Sequence, residues 1–412
     1  MAEPQSTNYI SREELSKHNK PQDLWISIHG KVYNVTNWLQ YHPGGASPLL
    51  NLAGQDVTDA FLAFHPNHAF SRLQPFFTGS YLANHNVSEA SRDYRNLLST
   101  FTRMGLFDHN RGVLASLLFI FIMFCLCVYA VLFAQTGLVR VASGALMGFL
   151  WIQSGWIGHD SGHYKIVSSK KLNRVLQILS GNVLAGISIG WWKWNHNAHH
   201  IAVNSLDFDP DLQHLPFFVV SSRFFNSLFS CFYERIMKFD SFSRLLGTEI
   251  LGLIAFWIWY PCLVSCLPNW GERILFVLAS FSVTGIQHIQ FCLNHFSAKV
   301  YVGPPTATDW CEKQCNGTLD VSCSSWMDWF HGGLQFQVEH HLFPRLPRCH
   351  LRKISPFVKD LCKKHNLPYN CVSFWKANAL TIRTLRDAAL QARDVTNPVP
   401  KNLVWEAVNT HG

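Results

Sequence analysis

The chain is poor in charge. Asp, Glu, Lys and Arg make up only 15% of its 412 residues, against 48% hydrophobic ones, and the apolar residues concentrate in the middle. That balance is low for a soluble protein, and the length leaves room for two or three domains. No Cys-x-x-Cys pair occurs among the 12 cysteines, several of which (Cys125, Cys127, Cys262, Cys266) lie in apolar runs. Neither a disulfide framework nor a zinc ribbon is indicated, which fits a reducing, cytosol-facing location. Residues 1–20 are polar, so no cleavable signal peptide is expected and the first membrane span has to act as the insertion signal. A retention tail of the Lys-Asp-Glu-Leu kind is also lacking. The net charge is +8, yet Lys and Arg form no long dense run and no stripe interleaved with aromatics. Nucleic acid is therefore not an expected partner. A basic surface facing anionic lipid headgroups explains the charge better.

Histidine, by contrast, is abundant, with 21 residues. Trp191–His200 places His196, His199 and His200 at i, i+3 and i+4, on one face of a helix. Upstream, His159 and His163 form an i, i+4 pair; downstream, Gln337, His340 and His341 repeat the i, i+3, i+4 spacing with glutamine first. One such cluster could be a satisfied polar patch. Three beside apolar segments are hard to explain as packing and point to a multi-histidine metal centre at a membrane surface. Neutral imidazoles can gather two iron ions without the negative charge of carboxylate ligands. His295, at the end of the last apolar segment, is an eighth candidate, its plainer alternative being a helix-end histidine at headgroup level. Asp160 and Glu339, next to ligands in sequence, are the expected acceptors for imidazole N–H groups. Asp207, Asp209 and Asp211 could serve likewise, but a solvated loop is the simpler reading.

Taken in order, residues 8–84 read as a small α+β domain. Trp25–Val35 alternates as a strand broken at Gly30, and a short helix stops at His42-Pro43-Gly44-Gly45. Two further short helices follow, the second ending at His65-Pro66. Two histidines so placed could flank a flat ligand; spacing alone equally allows two exposed loop histidines. Residues 85–112 form a polar linker with a helix over Ser91–Met104. Val113–Ala134, Val141–Gly158, Leu245–Leu267 and Ile274–Leu293 are long and apolar enough to cross a bilayer. Val175–Gly190 is short for a span and suits an interfacial or partly buried helix. Four spans return the chain to the same side after the second and the fourth, so all histidine clusters share one face. The two opposite turns hold only Arg140 and Arg273, as a cytosolic placement of the clusters requires. Residues 113–380 thus form an all-α multi-span membrane domain, and 381–412 a cytosolic tail.

Residues 8–84 resemble a cytochrome b5 domain throughout, through His42-Pro-Gly-Gly and Phe64-His65-Pro66. The resemblance implies haem b held by His42 and His65, a six-coordinate iron suited to one-electron transfer. The three histidine boxes together resemble the membrane desaturases with a fused cytochrome b5 domain, the front-end desaturases, of which Gln337 is a mark. That resemblance implies two non-haem iron ions held by His159, His163, His196, His199, His200, His295, His340 and His341, with Gln337 in a catalytic position. It further implies O2, electrons from NADH-cytochrome b5 reductase, a lipid substrate (sphingoid base, ceramide or acyl lipid) and residence in the endoplasmic reticulum membrane. Ile286–His295, Pro344–His350 and Trp405–Gly412 look like the delta-8 sphingolipid long-chain-base branch, whereas Gly190–Asn195 leans toward delta-6 acyl-lipid desaturases. One departure stands out: an aromatic-rich segment usual before the third span is missing, since Phe239–Leu246 passes almost directly into it. A lipid hydroxylase, or a haem electron carrier with a disabled di-iron domain, are the competing expectations.

Overall fold

The computed structural model describes residues 8–82, 87–108, 112–214, 218–219, 247–307 and 310–392. The shortened stretch before the third span lies outside the described residues, as does the sequence from 393 on.

The N-terminal part is a five-stranded sheet of β1 (Tyr9–Ser11), β2 (Asn19–Lys20), β3 (Asp23–Ile28), β4 (Lys31–Asn34) and β5 (Phe77–Leu82), in spatial order β1-β5-β4-β3-β2. The expected break at Gly30 is a two-residue hairpin turn, with φ of +49° at His29 and +71° at Gly30, the left-handed values such turns need. Helices α1 (Arg12–Lys17), α2 (Ser47–Asn51) and α3 (Thr58–Phe64) accompany the sheet. His42 follows a 3-10 turn over Thr36–Tyr41, and His65 caps the C-terminal end of α3, as the two His-Pro steps predicted.

The expected polar linker is a structural clamp. Its helix α4 (Glu89–Arg103) buries Tyr94, Leu98 and Phe101 in a core shared by the sheet domain and the C-terminal region. These residues recur at i, i+4 and i+7, one apolar face of an otherwise polar helix, so composition alone hid the burial. Tyr94 Oη donates to Leu342 O at 2.9 Å, and Asp59 of the sheet domain accepts from Ser91 Oγ at 2.6 Å.

Four long helices follow the expected spans: α5 (Val113–Phe133), α6 (Gly137–His163), α9 (Gly247–Ser265) and α10 (Trp270–Phe296). By length and apolarity α5 and α9 are long and greasy enough to cross a membrane on their own. Between them, α7 (Lys170–Ile178) and α8 (Ile189–Ile201) meet at a bend of 101°. The exposed Leu172, Val175 and Leu179 match the partly buried helix expected there. Asn182, which shortens that apolar stretch, is fully buried and donates to Glu249 O at 3.1 Å. Helices α6 and α10 approach closely: a Cβ at Gly148 would lie 2.2 Å from Ser280 O. The break between α5 and α6 is shorter than expected, because Thr136 caps α6 and Arg140 already lies inside it, paired with Glu272 at 2.9 Å. Beyond α10 come helices α11 (Trp310–Asn316), α12 (Gln337–Leu342), α13 (Leu351–Lys364) and α14 (Phe374–Ala392). Helix α14 buries Thr381 and Ala388, so the boundary expected at 380/381 falls inside a packed helix.

Candidate metal centre

The first cluster needs no special loop. Helix α6 runs unbroken from its membrane portion to His163, so His159 and His163 share a face one turn apart. Helix α8 brings His196, His199 and His200; α10 carries His295 in its last turn; α12 presents Gln337, His340 and His341. The bundle brings all eight histidines together. His159, His163, His196 and His340 each offer a ring nitrogen within 4.8 Å of one another, and His199, His295 and His341 do the same in a second group. His200 stands between the groups, its ring 4.7 Å from His163, 4.8 Å from His340 and 4.1 Å from His341. Consecutive residues on one helix thus face different groups.

Gln337 lies beside the second group, its amide nitrogen 2.8 Å from His295 Nε2. Its carbonyl oxygen is buried without a partner, as are Nε2 of His159, His163, His340 and His341 and Nδ1 of His200. Buried polar atoms are rarely left unpaired, and such a convergence of lone pairs fits metal ions. Burial, reinforced by neighbouring imidazoles, pushes His340 and His341 far below the usual histidine range, which keeps them neutral and able to donate a lone pair.

The ring nitrogens that face away from the centre are held in part by Asp209 and Asp211, the second choice of acceptors from sequence, and in part by residues not named there. Both carboxylate oxygens of Asp209 stand 2.9 Å from His199 Nδ1, and Asp211 stands 3.2 Å from His196 Nδ1. The loop read as solvated is therefore folded against the site, with Asp209 buried and also accepting from Asn204 N at 2.7 Å. Gln314 accepts from His341 Nδ1 at 2.9 Å, and the Gly317 carbonyl from His295 Nδ1 at 3.2 Å. Asp207 instead accepts from Gly303 N at 2.9 Å.

The two carboxylates favoured from sequence have other partners. Asp160 pairs with Arg348 at 3.2 Å and only approaches His159, at 3.5 Å. Glu339 accepts from Tyr369 Oη at 2.8 Å, beside Asp320, which receives the Val338 amide at 3.0 Å. A residue two positions from Gln337 and from His341 points to the far side of a helix, so Glu339 meets Tyr369 rather than the imidazoles, and Asp320 holds the α12 backbone. Glu249 was missed because it sits in an apolar span. It reaches the N-terminal end of α8, accepting from Ser188 Oγ at 3.0 Å and Gly190 N at 3.2 Å, and pairs with Arg174.

His42 and His65 face one another with ring centres 6.0 Å apart, room for one flat group between them. Their Nδ1 atoms are committed to Gly45 O at 2.7 Å and Phe61 O at 3.1 Å, which turns both Nε2 atoms inward. Burial holds His42 below its usual range and His65 at about 4, so both are neutral near pH 7. They line a largely apolar cavity of about 630 Å³, ample for a cofactor. Gly162, His163, Lys193, Asn197 and Ile201 of the membrane domain line the same cavity. Phe64, next to His65, packs edge-on against His200 at 5.9 Å.

Comparison with known proteins agrees with these two sites. Residues 135–373 match the fatty acid desaturase family, and residues 11–100 match the cytochrome b5-like heme/steroid binding domain. The chain is 58% identical to the acyl-lipid (9-3)-desaturase of Borago officinalis, covering 99% of each. It is 55% identical to delta(8)-fatty-acid desaturase 2 of Arabidopsis thaliana over the whole of both chains. The delta 8-(E)-sphingolipid desaturase of Emericella nidulans is 36% identical over 61% of this chain and 54% of that one. The alignment with the borage protein extends over 445 positions, more than the 412 residues here, so that relative carries residues this chain lacks. The chain belongs to the fatty acid desaturase family: it is a membrane oxidoreductase that desaturates a lipid chain, with a cytochrome b5-like domain for haem and a histidine centre for two non-haem irons.

Proposed function

We propose that the protein introduces a delta-8 double bond into sphingolipid long-chain bases at the endoplasmic reticulum membrane, its haem domain and histidine centre both cytosolic. The observation that carries the substrate is the pair of full-length Arabidopsis relatives named for delta-8 desaturation, at 55% and 56% identity. The fungal relatives named for sphingolipids point the same way. A second reading, acyl-lipid desaturation of the delta-6 kind, is favoured by the 58% identity to the borage acyl-lipid enzyme. Expression in a host lacking both products, followed by profiling of long-chain bases and fatty acids, separates them. Delta-8 bases with unchanged fatty acids are expected. New delta-6 fatty acids alone would replace this reading with the second, and a product heavier by one oxygen would indicate a hydroxylase.

In this reading residues 8–84 hold haem through His42 and His65, and residues 113–380 hold the irons. His159, His163, His196 and His340 take one iron, His199, His295 and His341 the other, with His200 between them. When bound, the irons supply activation of O2 for removal of two hydrogens from an unactivated chain. The chain's own residues do the rest. Asp209, Asp211 and Gln314 orient imidazoles, Glu249 fixes the start of α8, and the bundle holds the lipid methylene in place. NADH-cytochrome b5 reductase is the proposed electron source. The Phe64–His200 contact then joins the haem segment directly to the centre. The convergence of all eight histidines without the missing segment supports an active enzyme over a plain haem carrier. Metal analysis tests this: about two non-haem irons per haem are expected, and haem iron alone would reverse it.

Two substitutions probe the surroundings of the irons. Asp209→Ala frees His199 to rotate and should weaken iron retention roughly 10- to 100-fold while the haem spectrum is unchanged. Undiminished non-haem iron would show that Asp209 orients nothing essential. Gln337 sits where a weak carbonyl ligand or a hydrogen bond to His295 are both within reach. Gln337→Ala and Gln337→Glu should each lose most desaturation while the chain still inserts and binds haem, the second by adding negative charge beside the metals. Wild-type turnover from the alanine variant would leave the first position of that box without a role.

A further inference from the structure

The haem cavity is not a property of the N-terminal domain alone. Its floor is apolar, and no carboxylate lines it. The charged side chains on its walls are two cations, Arg72 from the haem domain and Lys193 from α8. Arg72 is exposed at the rim, whereas Lys193 is half-buried against the opening. A lysine so placed ordinarily finds an acidic partner. Among the described residues none pairs with Lys193, and the one charge that acts on it is that of another cation, Arg174. Asn197, one turn further along the same face, donates to Gly44 O at 3.3 Å. Trp194 packs so close to the adjacent turn that a Cβ on Gly45 would stand 3.1 Å from its ring. Helix α8 is therefore seated on the His42–Gly45 turn, which places Lys193 at the cavity mouth.

Haem b brings two carboxylates of its own. We propose that Lys193 completes the haem site from the desaturase domain, pairing its ammonium with a haem propionate. The haem would then be gripped by both domains and oriented with its propionate edge toward α8, the helix that also carries three of the iron-centre histidines. A fixed cation beside the haem favours the reduced state, which carries one more negative charge, so Lys193 also raises the haem potential.

The test uses the full chain in detergent, with the haem midpoint followed through its visible absorption. Lys193→Gln should lower the midpoint, by up to the 59 mV that corresponds to a tenfold change in the one-electron equilibrium. Lys193→Arg should leave it within a small fraction of that. Reconstitution of the apo chain with haem dimethyl ester, whose propionates carry no charge, should remove most of the difference between wild type and Lys193→Gln. Haem loss into excess apomyoglobin reads the same pairing independently: faster for Lys193→Gln with ordinary haem, unchanged with the ester. Lys193→Met provides the same readings should the glutamine variant not accumulate. An unchanged midpoint in the neutral variants overturns the proposal. So does a shift of equal size with the ester, which would mean that Lys193 acts on the iron through space and not on a propionate.

Discussion

His200→Ala is expected to abolish desaturation and to release non-haem iron while leaving the haem spectrum intact. His200 has the most central ring, lying against members of both groups, with its Nε2 3.1 Å from His196 Nε2. Alanine there removes a donor that its neighbours cannot swing in to replace, because His199, His196 and His341 are fixed through their far nitrogens by Asp209, Asp211 and Gln314. The same loss of turnover is expected for alanine at His159, His163, His196, His199, His340 or His341. Iron content and product profile measured on one preparation check it. His350, half-buried and outside the clusters, should tolerate alanine and serves as the control. His295 is the discriminating member: it lies within the second group and meets Gln337, so His295→Ala should lose activity as the others do. Full activity in that variant would remove it from the ligand set and leave the remaining seven.

The second large effect is at the haem. His42→Ala or His65→Ala should open one axial position, so the low-spin reduced spectrum is lost or changed and desaturation fails, although every iron-box residue is untouched. The 6.0 Å separation of the two rings explains why neither can substitute for the other: each addresses one side of a flat group. An unchanged spectrum in His42→Ala would show the ligand assignment to be wrong. An altered spectrum with surviving desaturation would mean that a separate cytochrome b5 can deliver electrons. Phe64 packed on His200 argues for the internal route.

Much of this site was legible because its signals are local. Helical spacing alone put His159 with His163, and His196 with His199 and His200, on single helix faces, and counting four apolar segments led to the expectation of all clusters on one side. The His-Pro steps at 42 and 65 marked helix ends whose imidazoles must project from the backbone. What stayed hidden depends on contacts between distant segments. Asp209 lies ten residues beyond His199 in a loop with no periodicity, and only the folded loop turns its carboxylate back to that ring. Adjacency misled for Glu339, since a helical neighbour of a ligand does not share its face, whereas Asp160 reaches His159 Nδ1 at 3.5 Å while pairing with Arg348.

The sequence by itself determined the chemistry: which residues could ligate, where the long apolar segments lie, and the presence of a second, haem-binding unit. Periodicity and composition act over a few turns of chain, and those properties are settled within that range. Tertiary structure alone decided how seven histidines divide between two groups with His200 between them, the adjacent His340 and His341 on α12 falling in different ones. It also decided that helix α4 clamps the two domains and that α8 closes the haem cavity with Lys193 and Asn197. These outcomes depend on where helices cross and how closely glycines such as Gly148 let them approach, which spacing along one chain does not encode.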